Sequence, residues 1–175
     1  MSKVYSNRDM KSINLKRDLI ILKPLLDNIK DEENKVYSKL IKDLDNLDID
    51  FKKSFIMFSK GQVYKSYSTL GIMKYFDKSV KYFILDLNIL LDIWYNHSIL
   101  IDKSKLLNCD ILIIHGVATE WQATNKSDAL KELVSIRKTM NKLTWLYIEK
   151  TSKDDFEEIY PDVTTTLNKT YRSDF

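Results

Sequence analysis

The sequence predicts an α/β protein in which a parallel sheet is covered by helices on both faces, giving a core of three layers. The first observation is a set of short, continuous apolar runs between residues 54 and 148, and the second is the helical spacing of apolar residues between those runs. Continuous apolar strands that alternate with helices are typical of parallel sheets buried on both faces. At 175 residues the chain is long enough to bury such a core.

Two helices are predicted ahead of the sheet. Apolar residues recur every three or four positions from Asn7 to Ile29, and a second stripe of this kind runs from Glu32 to Leu47. These helices either cover the sheet or leave an apolar strip for a partner. The strip would consist of Met10, Ile13, Ile20 and Ile21. The pattern changes near Asp50, which predicts a helical extension over residues 1–50 and an α/β core over residues 51–175.

Strands and helices are predicted to alternate through the core. The strands are the apolar runs at residues 54–58, 80–86, 110–114 and 143–148. The helices are predicted near residues 66–76, 88–95 and 127–140, followed by a short helix near residues 154–159 and a polar tail. We expect Trp94 and Trp145 to pack in the core and Trp121 to be the most exposed of the tryptophans.

Composition excludes several classes of protein. The 28 basic and 25 acidic residues give a formal charge of +3, which is too mild to indicate a nucleic-acid binder by itself. The single Cys109 excludes a disulfide framework within one chain, and His97 and His115 have no clustered carboxylates, so no metal site is predicted. No run reaches the roughly 20 apolar residues of a membrane span, and a cytoplasmic protein is expected.

The stretch SKGQVYKS at residues 59–66 has the position of a phosphate-binding loop, between a predicted strand and a predicted helix. Lys65 and Ser66 stand where the P-loop pattern GxxxxGK[ST] contacts the β- and γ-phosphates and Mg²⁺. The two glycines of that pattern are replaced by Ser59 and Tyr64. A working loop needs those glycines because its backbone must wrap the phosphates closely. Taken alone, the stretch also fits a solvated turn.

Taken together, five segments resemble a known family, the replicative-helicase loaders of bacteria and their phages. These loaders, of the DnaC and DnaI kind, are AAA+ ATPases whose segments resemble GPPGxGKT, DLLIIDDLGTE and TSN. The corresponding segments here are FIMFSKGQVYKSYSTLGIMKYF, VKYFILDLNILLDIWYN, CDILIIHGVATEW, NKLTWLYIEK and KDDFEEIYPDVTTTL, from about Lys53 to Leu167. The resemblance implies a three-layer parallel sheet of AAA+/P-loop NTPase type, with a reduced or absent lid.

The positions that match the family's nucleotide site have mostly changed. Tyr64 replaces the glycine before the lysine, and His115 and Gly116 replace the acidic pair that serves Mg²⁺. Glu149 and Lys150 stand where the family has its polar sensor. The segment around residues 163–166 also lacks the family's paired arginines. Phosphoryl transfer depends on positioned charge, so these changes remove what the reaction needs.

The resemblance therefore implies a degenerate ATPase with no catalytic residue and no bound ATP or Mg²⁺. Lys65 and Ser66 would be the remnant of the phosphate loop. Glu120 is retained from the family's segment, but it follows the metal position and cannot restore coordination there. Lys60, Tyr64 and Lys65 interleave basic and aromatic side chains, a pattern that suits contacts to single-stranded DNA.

The expected function is that of a non-catalytic DNA-replication accessory that binds the replicative helicase, its loader or single-stranded DNA, as a monomer or an oligomer. A phage source would fit this role. Three alternatives stay open: an inhibitor of host helicase loading, a divergent NTPase that uses Glu120 or Glu149, and an interaction protein outside replication.

Overall fold

The core is a parallel β-sheet. The structure, a computed structural model, describes residue 42 and residues 46–95, 103–118 and 123–175. Within these residues the strands are β1 (Phe55–Ser59), β2 (Tyr82–Asp86), β3 (Ile111–Val117), β4 (Leu143–Glu149) and β5 (Thr170–Arg172). Their order across the sheet is β2-β3-β4-β1-β5, and every pair of neighbouring strands is parallel. The first strand in the sequence is therefore next to the last.

Helices connect the strands. They are α1 (Tyr64–Tyr75), α2 (Leu90–Tyr95) after a 3-10 turn at Leu87–Ile89, α3 (Lys103–Asn108), α4 (Ala123–Thr139), α5 (Lys153–Ile159) and α6 (Val163–Leu167). No helix in the described part of the chain is long and apolar enough to cross a membrane.

Apolar side chains form a separate core on each face of the sheet. On one face, Phe55 and Trp145 pack with Phe51 and with residues of α1. On the other face, Phe58 and Leu146 pack with the helices from α2 to α6. The sheet is thus covered on both sides, which confirms the predicted α/β class with a parallel sheet in three layers.

The four predicted strands are confirmed to within a few residues at each end, and Trp94 and Trp145 are buried as expected. Strand β5 and the helices α3 and α6 were not predicted. Of the predicted N-terminal helices, the described residues Lys42, Asn46 and Leu47 are helical. The rest of both helices, the apolar strip and Trp121 lie outside the described residues. The boundary near Asp50 stays a prediction.

Tyr160 places a buried hydroxyl group in the core on the face of the sheet that α2 to α6 cover. Its side chain is fully buried, and its hydroxyl has no hydrogen-bond partner among the described residues. Burial raises the pKa of Tyr160 to about 12. We expect Tyr160→Phe to leave the free energy of unfolding unchanged or to raise it by up to about 1 kcal/mol, because an unsatisfied buried hydroxyl is removed.

Tyr147→Phe is the matched control for that prediction. The Tyr147 hydroxyl is also buried, but it accepts a hydrogen bond from the Ser68 hydroxyl at 2.9 Å. Its loss should lower the free energy of unfolding by about 1 kcal/mol. Urea titrations of both variants measure the difference, and a larger loss in Tyr160→Phe than in Tyr147→Phe would show that the Tyr160 hydroxyl has a partner.

Candidate functional site

The candidate site lies at the carboxyl edge of the sheet, where parallel strands end side by side. Ser59 at the end of β1 is in register with Glu149 at the end of β4. Asp86 at the end of β2 is in register with His115 on β3. Ligands of open parallel sheets bind at this edge. The fold therefore brings Ser59 and Glu149 side by side, although the sequence places them 90 positions apart.

The loop after β1 bonds to the chain's own backbone. The N–H groups of Lys60 and Gly61 donate to the backbone oxygen of Phe175 at 2.7 and 3.2 Å. Within the loop, the Ser59 hydroxyl donates to the Gly61 carbonyl at 2.7 Å. In a phosphate loop such N–H groups point at the anion. Here the two N–H groups at the start of the loop are already satisfied by protein.

Tyr64, the first residue of α1, packs into the site. Its side chain is buried, and its ring stacks on the His115 ring with 3.7 Å between centroids and 8° between planes. The position that carries a glycine in a working phosphate loop is thus filled by an aromatic ring. Tyr64 would have to leave this stack before it could contact a nucleic-acid base. Lys60 and Lys65 are exposed and Ser66 is half-buried, and a DNA contact at these residues stays a prediction.

Gly116 shows why an acidic residue cannot simply be restored on β3. Its φ angle is +149°, in the region that L side chains rarely adopt. A Cβ atom at this position would also lie 3.2 Å from the Cβ of Leu87 and 3.5 Å from a carboxylate oxygen of Asp86. An aspartate at residue 116 would therefore be strained and would face another carboxylate. The backbone at this strand end suits glycine.

His115 and Glu149 form a buried pair beside the Tyr64 ring. The distance from His115 Nδ1 to Glu149 Oε1 is 3.6 Å, longer than a hydrogen bond, and neither atom has another partner among the described residues. Burial lowers the pKa of His115, and the nearby Lys65 lowers it further while Asp86 raises it. Burial also raises the pKa of Glu149, and Asp86 raises it further. Both side chains are thus shifted toward their uncharged forms.

This environment makes stability depend on the charge of His115. The folded pKa lies below the unfolded value of 6.5, so the unfolded chain binds a proton first as the pH falls through about 6.5. The free energy of unfolding should then decrease. We expect His115→Phe, which keeps a ring against Tyr64, to gain stability relative to the unsubstituted protein between about pH 7 and pH 5.5.

Urea unfolding of both proteins at several pH values measures this effect. Glu149 is present in both proteins, so its own titration largely cancels from the comparison. Two parallel profiles of unfolding free energy against pH would contradict the lowered pKa of His115.

The site contains groups that sequence reasoning did not single out. Asp86 raises the pKa values of both His115 and Glu149, and the Gln62 side chain lowers the pKa of Glu149. Asp86 could have been found, because it ends an apolar run and parallel strands end at one edge. No sequence signal identifies Phe175 as the partner of the loop. Glu120 and His97 lie outside the described residues, and within the described part no group of three potential metal ligands occurs.

Two solved structures are similar to this chain in fold. A crystal structure of a candidate primosome component from Streptococcus pyogenes serotype M3 matches 83% of this chain and 81% of its own, with a TM-score of 0.47 and 13% identity. The crystal structure of the DnaC helicase loader matches 80% of this chain and 82% of its own, with a TM-score of 0.42 and 14% identity. No protein-family model matches the chain. No curated protein matches it in sequence.

Proposed function

We propose that this protein is a non-catalytic DNA-replication accessory that uses a P-loop-type scaffold to bind the replicative helicase, its loader or single-stranded DNA. The observation that carries the proposal is the packing of Tyr64 on His115, which places an aromatic ring where a triphosphate would need a glycine. The surfaces of the scaffold, rather than nucleotide chemistry, would then perform the function.

Two further contacts support the loss of nucleotide chemistry. The backbone oxygen of Phe175 occupies the N–H groups of Lys60 and Gly61. Gly116 has a backbone conformation that disfavours an acidic side chain, so β3 lacks the carboxylate that would hold Mg²⁺. Each of these contacts alone would weaken triphosphate binding, and together they affect both the phosphate cradle and the metal position.

The link to replication is supported by the order of the five helicase-loader-like segments along residues 53–167. Each segment falls on the element that the resemblance requires. FIMFS forms β1, YFILD forms β2 and ILIIHGV forms β3. A partner that recognises the scaffold of a helicase loader would therefore find the same order of strands and helices in this protein.

The binding part of the proposal is tested with the full chain and the purified replicative helicase and helicase loader of its host. Size-exclusion chromatography with light scattering should detect a complex with one of them, or fluorescence anisotropy should detect binding to single-stranded DNA. The affinity should be unchanged when ATP and Mg²⁺ are omitted. Absence of binding to all three partners would refute the role, and a helicase-loading assay would distinguish a promoting from an inhibiting protein.

The non-catalytic part is tested separately by phosphate release from ATP. We expect no release above the buffer rate, and the same result for Lys65→Ala, because Lys65 has no triphosphate to neutralise. Hydrolysis that disappears in Lys65→Ala would instead identify a divergent NTPase. A micromolar dissociation constant for ATP with Mg²⁺ in isothermal titration that is lost in Lys65→Ala would also contradict a degenerate site.

A further inference from the structure

A basic cleft lies at the carboxyl edge of the sheet, next to β5. Its volume is about 580 Å³, and it is bordered by the end of β1, the connection from β4 to α5, and residues of β5. Of the described residues, four cationic side chains and no acidic side chain line it; the cations are Lys60, Lys150, Lys153 and Arg172. The charge of this cleft therefore favours an anion.

The strand register holds three of these cations together. Lys60 and Lys150 directly follow Ser59 and Glu149, which are paired across β1 and β4, and the Lys150 N–H continues the ladder by donating to the Ser59 carbonyl at 2.8 Å. On the other side of β1, Arg172 is in register with Phe58. Neighbouring strands lie about 4.8 Å apart, so the backbone places like charges close to one another.

Within the part of the chain that the structure describes, three of these cations form no ion pair, unlike several other basic residues. Lys131 and Lys142 form ion pairs with Asp162 and Asp110 at 2.8 and 2.9 Å. Lys153, at the rim of the same cleft, is 3.7 Å from Glu157. In contrast, Lys60, Lys150 and Arg172 are exposed, and no carboxylate of the described residues lies within ion-pair distance of them. A bound anion could therefore form ion pairs with these side chains.

We propose that this cleft binds a phosphate-bearing ligand through Lys60, Lys150 and Arg172. Arginine and lysine are the side chains that proteins use to bind phosphate, and Arg172 can form two parallel hydrogen bonds to one phosphate group. The volume falls in the range of small-molecule sites, roughly 300–1,000 Å³, and exceeds the needs of a single phosphate. The cleft therefore has room for a ligand larger than a free phosphate ion, such as a diphosphate compound or the backbone of a single-stranded nucleic acid.

The cleft shares Ser59 and Lys60 with the start of the vestigial phosphate loop. The residues at the phosphate and Mg²⁺ positions of that loop, Lys65 and Ser66, do not line the cleft. Phe58 and Arg172 belong to the face of the sheet that packs on α5 and α6, whereas Tyr64 belongs to the core on the α1 face. The nucleic-acid ligand deepens the single-stranded DNA part of the proposed function and rests on it. The pyrophosphate measurement is independent of helicase, loader and DNA binding, so the cleft can bind phosphate when the proposed function fails.

The test uses the full chain and two phosphate probes. Isothermal titration measures binding of inorganic pyrophosphate, and fluorescence anisotropy measures binding of a labelled oligothymidine of about 12 nucleotides. The cleft variant Lys150→Gln/Arg172→Gln removes two cations, and the control variant Lys78→Gln/Lys105→Gln removes two exposed cations elsewhere. Because all four side chains are exposed, both variants should fold, which circular dichroism checks.

We expect the cleft variant to weaken the binding of the probe by at least about tenfold, since it loses charge-assisted hydrogen bonds. The control variant should change binding by less than about twofold. For the oligonucleotide, the slope of log affinity against log salt should fall by about 0.7 for each phosphate that is no longer neutralised. Binding of pyrophosphate alone would identify a small-molecule site, and binding of the oligonucleotide alone would identify a nucleic-acid backbone site.

Two results would overturn the proposal. One is that neither pyrophosphate nor the oligonucleotide binds at low ionic strength. The other is an equal loss of binding in the cleft and control variants, which would mean that only the net charge of the protein attracts phosphate.

Discussion

Replacing Arg137 by methionine should lower the free energy of unfolding by about 3–5 kcal/mol, the largest effect that we expect from a single substitution, because several buried oxygens lose their donor. Arg137 lies on α4, and its side chain is fully buried although no carboxylate of the described residues forms an ion pair with it. Burial lowers the pKa of its guanidinium. An arginine remains charged in this setting, and the charge is therefore balanced by dipoles of the backbone and by hydroxyl oxygen.

The guanidinium donates to carbonyl groups from separate parts of the fold. Its nitrogens bond the carbonyls of Leu106 and Cys109 around the end of α3, the carbonyl of Leu143 on β4, and the hydroxyl of Thr144. Methionine fills much of the volume but offers no hydrogen-bond donor. Several buried oxygens would then lose their donor, and each loss costs about 1–3 kcal/mol of stability. The arginine thereby fixes the segment from α3 to β3 against β4.

Urea unfolding measures this loss, and the melting temperature should fall by roughly 10 °C in a protein of this size. Arg137→Lys keeps the charge but not the forked geometry, and it should recover only part of the lost stability. The control is Lys105→Met, which removes an exposed cation on α3 and should change stability by less than about 0.5 kcal/mol. An unfolding free energy within about 1 kcal/mol of the unsubstituted protein for Arg137→Met would show that the carbonyls find other donors.

The second prediction concerns Gly71, in the middle of α1. In an exposed helix, glycine to alanine stabilises by about 0.5–1 kcal/mol. Here a Cβ atom at residue 71 would overlap with three carbon atoms of the Phe51 ring. We expect Gly71→Ala to lower the free energy of unfolding by about 1–3 kcal/mol, because the ring must move out of a packed aromatic cluster.

Phe51 cannot move freely. Its ring is edge-to-face with those of Phe55 and Trp145, at 5.8 and 5.2 Å between centroids, and is stacked on Tyr75 at 5.9 Å. A double-mutant cycle isolates the clash. Phe51→Ala alone should be strongly destabilising, but Gly71→Ala added to it should be neutral or stabilising. If Gly71→Ala stabilises the protein that retains Phe51, the predicted clash between the added Cβ atom and the Phe51 ring is contradicted.

The strands β1 to β4 could be predicted because each is a continuous apolar run that needs burial on both faces. Strand β5 could not, because Thr170 and Arg172 are exposed and the strand pairs only with β1 at the edge of the described sheet. Helices α3 and α6 span six and five residues, too short for a helical period to stand out. The fold class could thus be predicted from the pattern of apolar residues. The formation of β5, α3 and α6 depends on tertiary contacts, which the sequence pattern does not show.

The candidate site could be predicted only in part. The sequence located the loop at residues 59–66 and the replaced positions at His115 and Glu149. It could not show that Tyr64 stacks on His115, because that contact exists only once β4 separates β1 from β3. The hydrogen bonds from the loop to the Phe175 oxygen could not be predicted either, because they form only when the tail runs beside β1.

The place of β1 in the sheet has a consequence for synthesis on the ribosome. β1 is the first of the described strands to be made, yet its neighbours β4 and β5 are the last two. The bond from the Thr144 N–H to the Ser54 hydroxyl spans 90 residues, which takes roughly 5–20 seconds to translate. Throughout that interval the apolar segment FIMFS has both edges unpaired, and such edges are templates for aggregation. The nascent chain therefore depends on its own completion, or on a chaperone, to shield the strand that later lies between β4 and β5.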